Sequence, residues 1–168
     1  MTGMKDLRID KIVINIGVGE AGERLLKAQK VLEMVAQQKS VQTISKTINR
    51  DLGVRVGMPI GCKVTLRKDK AEIFLKKALS IRENRINRYS FDKEGNMSFG
   101  IPDYTDFEGM KYDPGIGVFG MDVSVVLRRP GSRIERRKLL TRRVSPRHRV
   151  DRNEAIEFMS EKYGIEVV

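Results

Sequence analysis

The stretch "IVINIGVGEAGERLLKA", residues 12–28, carries Gly17, Gly19 and Gly22 in G-x-G-x-x-G spacing. An apolar run precedes these glycines and a helical pattern follows them. In that order they can cradle a dinucleotide pyrophosphate at a helix N-terminus. That chemistry also needs a parallel βαβ unit and an acid about 20 positions on, ending the second strand, for the ribose hydroxyl. The candidate second strand, "VQTISKT", ends in Lys46 and Thr47, and Asp51 comes after it. Two other readings stand beside the dinucleotide one. The glycines can form a tight strand-to-helix turn that needs positive φ or close packing. Alternatively, Gly17 and Gly19 withhold side chains so that another backbone, protein or RNA, can approach a sheet.

Other reactive residue types form no constellation. Cys62 alternates with core positions and reads as a small buried hydrophobe. His148 sits between Arg147 and Arg149, which suits phosphate contact or solvation better than general-base work. Asp103, Asp106, Asp113 and Asp122 are scattered, with no spacing that pairs them. One cysteine and one histidine leave no internal disulfide, no Cys-cluster metal site and no His-based zinc site. No catalytic residue, metal or cofactor is expected, and the chain is read as a non-enzyme.

Charge carries more information. The chain has a net charge of +11 over 168 residues, which points to a polyanionic partner. Residues 128–152 hold eleven Lys/Arg against Glu135 and Asp151, a net +9, and the remaining 143 residues carry +2. Such density in an otherwise balanced chain marks a phosphate-binding surface. No segment approaches the roughly 18 apolar residues of a membrane span. "MTGMKDLRID" lacks the apolar centre of a signal peptide, so a cytoplasmic location is expected.

The elements that must position these residues follow from periodicity. "KIVINIGV" alternates, with Ile12, Ile14 and Ile16 inward and Lys11, Val13 and Asn15 outward. "ERLLKAQKVLEMVAQQ" places Leu25, Ala28, Val31, Leu32 and Val35 on one helical face. "SVQTISKTI" reads as an edge or polar-faced strand, and "DLGVRVGMP" as a loop or hairpin tip. In "IGCKVTLR", Ile60, Cys62, Val64 and Leu66 face a core, while Gly61, Lys63, Thr65 and Arg67 face away. "DKAEIFLKKALSI" predicts a helix with an Asp69/Glu72 capping box and a stripe of Phe74, Leu75, Ala78 and Leu79. "RYSFDKEGNMSFGI" predicts a hairpin turning at Gly95-Asn96, with Tyr89, Phe91, Met97 and Phe99 on its arms. Residues 102–120 form a long Gly/Pro/aromatic loop. "MDVSVVLRR" is a strand with Met121, Val123, Val125 and Leu127 inward. After the basic segment 128–149 comes a C-terminal helix, 151–164, capped by Asp151 and Glu154 and stopped at Gly164; "IEVV" reads as a short final strand. The architecture expected is α+β: one domain over 1–168, a mostly antiparallel sheet with helices packed on one face and a polar, basic opposite face.

Three runs together, "INIGVGEA", "RVGMPIGCKVTLR" and "SFDKEGNMSFGI", resemble the large-subunit ribosomal protein five family, which binds 5S rRNA. "YDPGIGVFGMDVSVVLRRPGSRI" and the basic C-terminal part resemble its archaeal and eukaryotic branch. The likeness covers nearly the whole chain. It implies a structural component of the large ribosomal subunit that binds 5S rRNA and helps seat it in the central protuberance. Implied partners are 5S rRNA, large-subunit rRNA, P-site tRNA and neighbouring proteins of the protuberance. The positions matching the 5S surface are Asn15, Gln42, Thr43, Lys46, Thr47, Lys63, Thr65 and Arg67. The family commonly reads Thr-Lys-Ala-Lys/Arg where this chain reads Thr43-Ile44-Ser45-Lys46, one cation fewer. The implied tRNA-facing loop is 51–59, with Arg50, Arg55, Gly57 and Met58 as its contact residues. Arg128, Arg133, Arg136, Arg137, Arg142, Arg143, Arg147 and Arg149 are expected on rRNA backbone.

The residues themselves agree with an RNA partner. Amides and hydroxyls on a polar sheet face can bond 2′-hydroxyls and base edges, and cations there can bond phosphates. These strands hold few aromatic rings, so stacking on single-stranded RNA is not the main expectation. A general chaperone of structured RNA or DNA, and a dinucleotide-dependent enzyme, are the competing readings.

Overall fold

The computed structural model describes residues 3–168. Its elements run β1 (Arg8–Gly17), α1 (Glu23–Ala36), β2 (Val41–Ile44), β3 (Pro59–Leu66), α2 (Lys68–Ile81), β4 (Arg85–Ile86), β5 (Met97–Ile101), β6 (Met121–Arg128), α3 (Arg152–Tyr163) and β7 (Glu166–Val167). Five strands make an antiparallel sheet in the order β2-β3-β1-β6-β5. β4 and β7 form a separate parallel pair. The α+β class expected from periodicity is therefore observed.

The alternating strands explain the sheet. Ile12, Ile14 and Ile16 of β1, Cys62, Val64 and Leu66 of β3, and Met121, Val123, Val125 and Leu127 of β6 are all buried. Each large aliphatic among them contributes about 1.5–3 kcal/mol by leaving water. The intervening β1 residues Lys11, Val13 and Asn15 are only half-buried.

The chain divides into two compact units, each built from separated segments. One joins the segment ending at Ile12 with Arg67–Phe99 and Ser124–Val168; the other joins Val13–Leu66 with Gly100–Val123. In the second unit, α1 packs on β3 and buries Leu25, Ala28, Val31, Leu32 and Ala36. Val35, expected on that stripe, is half-buried, as is Ile60 of β3. The 102–120 loop is anchored there by buried Tyr104, Phe107 and Phe119.

In the first unit, α2 buries Phe74, Leu75, Ala78 and Leu79 as its spacing predicts. Its start differs from expectation. Arg67 is the N-cap, the helix begins at Lys68 and there is no side-chain cap, so Asp69 and Glu72 do not make a capping box. Glu72 instead accepts from Lys162 Nζ at 2.9 Å, tying α2 to α3. α3 does carry its box, with Glu154 accepting from the Asp151 N–H at 3.3 Å, and it ends at Gly164 with φ 65°. The 88–97 hairpin is looser than predicted: its first arm is a 3₁₀ turn at Arg88–Ser90, joined by one Phe91–Met97 bridge. Tyr89 consequently points to solvent while Phe91 is buried.

Candidate nucleic-acid interface

The glycine turn is not a nucleotide cradle. The N–H groups of Val18 and Gly19 donate to the Ile60 carbonyl at 3.0 and 2.8 Å, so a pyrophosphate would have to displace β3. β3 also lies between β1 and β2, so β1–α1–β2 lacks the adjacent parallel pair that a dinucleotide fold requires. Gly19 and Gly22 are needed by the backbone, with φ of 80° and 123°. Gly17 differs: a Cβ built there meets nothing within 4 Å. Its missing side chain leaves open space that the fold does not fill.

Gly17 belongs to a polar patch in the second unit. β2 and β3 pair Val41 with Lys63, Gln42 with Cys62 and Thr43 with Gly61. Cross-strand partners share a face, so Thr43, Gly61, Lys63 and Thr65 lie opposite buried Cys62, Val64 and Leu66. Asn15 lies opposite Ile14 and Ile16 by the same alternation. Lys63 is exposed, and Asn15, Thr43 and Thr65 are half-buried among neighbouring strands. Gly61 keeps this patch low. A Cβ there would sit 2.7 Å from the Ile16 carbonyl oxygen and 2.9 Å from Thr43 Oγ1.

One expected member of this face stands elsewhere. The pairing of Gln42 with Cys62 turns it to the α1 side, where its Nε2 donates to Gln29 Oε1 at 3.1 Å. Arg67, just past the end of β3, is exposed, and its guanidinium donates to the Asp10 carbonyl and carboxylate, both at 3.3 Å. Lys46 and Thr47 follow the β-bulge between Thr43 and Ile44 and are exposed.

Beyond that bulge the hairpin continues. Ser45 N–H donates to Met58 O at 2.8 Å and Gly57 N–H to Ser45 O at 3.0 Å. Reciprocal Asn49–Val54 bonds of 3.0 and 2.9 Å close the tip. Asn49 Oδ1 accepts from the Asp51 and Leu52 N–H groups, which shapes the turn from within. Arg50 and Arg55 are exposed on this tip, Gly57 supplies φ 83°, and Met58 is half-buried. Ile48, Leu52 and Val56 are also exposed, so the tip offers apolar as well as cationic groups.

In the first unit the basic segment folds into short turns with its own tethers. Arg129, only 13% exposed, donates to Glu154 at 2.9 Å and to the carbonyls of Arg147 and Arg149 at 3.4 and 3.3 Å. His148 Nε2 donates to the Pro130 carbonyl at 2.8 Å, so this histidine pins the segment. Glu135 accepts from the Val144 N–H at 3.1 Å. Asp10 gathers cations, with Arg67 at 3.3 Å, Arg136 at 3.4 Å and Arg128 at 3.8 Å. Burial beside this cluster, and then the Arg136 charge, hold the Lys11 ammonium below its ordinary pKa. Arg133, Arg137, Arg142, Arg143, Arg147 and Arg149 expose their side chains, whereas Arg128 is half-buried.

The chain is similar in sequence to known proteins along almost its whole length. Residues 3–55 match the family profile described as "Ribosomal protein L5", and residues 59–158 match the profile for the C-terminus of the same ribosomal family. The chain belongs to the ribosomal L5 family. Full-length relatives agree. The large ribosomal subunit protein uL5 of Thermoplasma volcanium is 54% identical, covering 100% of this chain and 99% of the relative. The uL5 of Methanoculleus marisnigri is 52% identical, covering 99% and 100%. That of Methanosphaera stadtmanae is 47% identical, covering 99% of each. The family resemblance read from the motifs is thus upheld, and membership of a family of ribosomal proteins replaces the dinucleotide-enzyme reading. The boundary between the two L5 profiles falls at 55–59, on the strand-to-strand hairpin described above. Among the described residues no helix is long and apolar enough to cross a membrane.

Residues that the sequence reading did not single out are Asp10 and Arg129. The signal for Asp10 was present: it is the lone acid in "RIDKIVINIG". Arg129 carried no such mark, because only the fold brings Glu154 to it.

Proposed function

We propose that the protein is a structural component of the large ribosomal subunit that binds 5S rRNA through the polar side of its sheet and helps attach it in the central protuberance. The observation that carries this reading is the low face formed by Gly17, Gly61, Asn15, Thr43, Lys63 and Thr65, behind which every alternate β3 residue from Cys62 to Leu66 is buried. A folded RNA presents 2′-hydroxyls, base edges and phosphates across a shallow groove, and a flat surface of hydroxyls, amides and a cation complements it. Lys46 and Thr47 extend that contact along the hairpin. The exposed arginines of 128–149 add sequence-independent phosphate neutralisation on large-subunit rRNA. The 51–59 loop, with Arg50, Arg55, Gly57 and Met58, reaches P-site tRNA. Its place of work is the cytoplasmic ribosome, beside neighbouring proteins of the protuberance.

The deciding experiment is a filter-binding competition at moderate salt between 5S rRNA and duplex DNA. 5S rRNA wins if the face reads RNA shape; equal competition would reduce the protein to a general polyanion binder. Lys63→Ala/Thr65→Ala weakens 5S binding by about 1–3 kcal/mol with an unchanged melting curve, because neither side chain is in the core. Arg55→Ala spares 5S affinity and weakens contact with tRNA.

A further inference from the structure

In the first unit, a cavity of about 190 Å³ opens between the end of β6, the turn before β5 and the segment leading to α3. It far exceeds the roughly 10–15 Å³ that admits one water, and falls short of the roughly 300 Å³ at which small-molecule pockets begin. Its size suits one flat chemical group. Its lining has three chemistries. Leu127, Val144 and Val150 are apolar and buried. Arg143 and Arg149 bring exposed guanidinium planes, and Glu94 and Glu135 bring carboxylates. Arg129 lines it too, and its Nε is buried with no hydrogen-bond partner among the described residues.

A bare phosphate would find cations there, Arg128 and Arg129 as well as Arg143 and Arg149, but the two carboxylates and the apolar surface would give it nothing to bind. An aromatic base can use all three chemistries, with apolar and guanidinium contacts for its faces and hydrogen bonds for its edge. The edges select which base. Guanine offers N–H donors for a carboxylate on one edge and the O6/N7 acceptor pair for an arginine on another. Uracil has neither the amino group nor that acceptor pair. We infer that this cavity receives a single guanine extruded from RNA. The inference rests on the RNA-binding reading. A bulged base is the cheapest source, because it has no pairing to lose.

The test uses the full chain and RNA hairpins identical except for one bulged guanosine, one bulged uridine or no bulge, compared by filter binding at fixed salt. The bulged-guanosine hairpin binds about tenfold tighter than the unbulged one, and the uridine hairpin does not. In Glu94→Gln/Glu135→Gln that ratio falls toward one, even though losing two negative charges strengthens binding of every hairpin. Arg143→Lys lowers the ratio as well, since it keeps the charge and loses the plane. Arg133→Ala, exposed and outside the lining, weakens all hairpins alike. Equal affinity for the three hairpins overturns the guanine site and leaves 5S binding standing, as does a ratio that survives both pocket variants. Failure of every hairpin and of 5S rRNA to bind overturns both.

Discussion

Two glycines sit side by side at the sheet's polar surface for opposite reasons. Gly61 is demanded from inside, since a methyl group would press on the Ile16 carbonyl and Thr43 Oγ1. Gly17 has no internal claimant. Gly61→Ala therefore destabilises the fold by about 1–3 kcal/mol, read as a lower urea midpoint. Gly17→Ala leaves that midpoint unchanged and lowers affinity for 5S rRNA; if it unfolds the protein instead, the glycine is structural. On the opposite side, burial and then the Glu33 carboxylate push the Cys62 thiol from 9.0 up to about 11. Between those values the unfolded thiol ionises while the folded one stays neutral, so stability is full below pH 9 and falls as pH rises toward 11. A Cys62→Ala variant lacks that component of the alkaline loss, and the native thiol resists Ellman's reagent at about pH 8 until the chain is unfolded. At this scale, sequence alternation disclosed which residues are dry. It could not disclose Gln42, because a face is fixed by strand register, and the register pairs Gln42 with Cys62.

Among the elements, the strands were legible because a period of two leaves little choice about which side faces the core. The start of α2 was not. Asp69 and Glu72 have capping-box spacing, but tertiary contact with Lys162, ninety residues on, takes Glu72. The basic segment shows the same limit. Its arginines look equivalent in sequence, yet Arg129 is a tether and His148 a pin. Arg129→Met is expected to cost about 1–3 kcal/mol by breaking its bonds to Glu154 and to two carbonyls. Amide exchange at 146–152 accelerates with it, while the amides of β1 and β3 keep their protection. Unchanged exchange there would mean that the segment is held by other contacts.

Across the whole molecule, charge is the dominant feature. Most of the +11 lies in 128–152, and neutralising about six phosphates makes affinity fall roughly a thousandfold between 50 and 200 mM salt. Replacing exposed Arg133 and Arg142 with alanine lowers the slope of log affinity against log salt by about two, if both touch phosphate. The Lys63/Thr65 double variant reduces that slope by one at most, since only Lys63 is charged. The two effects separate general attraction from shape reading on a single set of titrations. The sequence showed the total charge and its concentration in one segment. It could not show that Asp10 draws Arg67, Arg128 and Arg136 together, because those four are spread over 126 positions.

The threading of the chain through both units also governs its birth. β1 leaves the synthesis machinery early, yet in the sheet it lies between β3 and β6, and β6 is not complete until residue 128. Neither unit can close on a nascent fragment, so one flank of β1 stays bare for most of translation. A strand that waits this long for its second neighbour must be shielded while the chain is still being made.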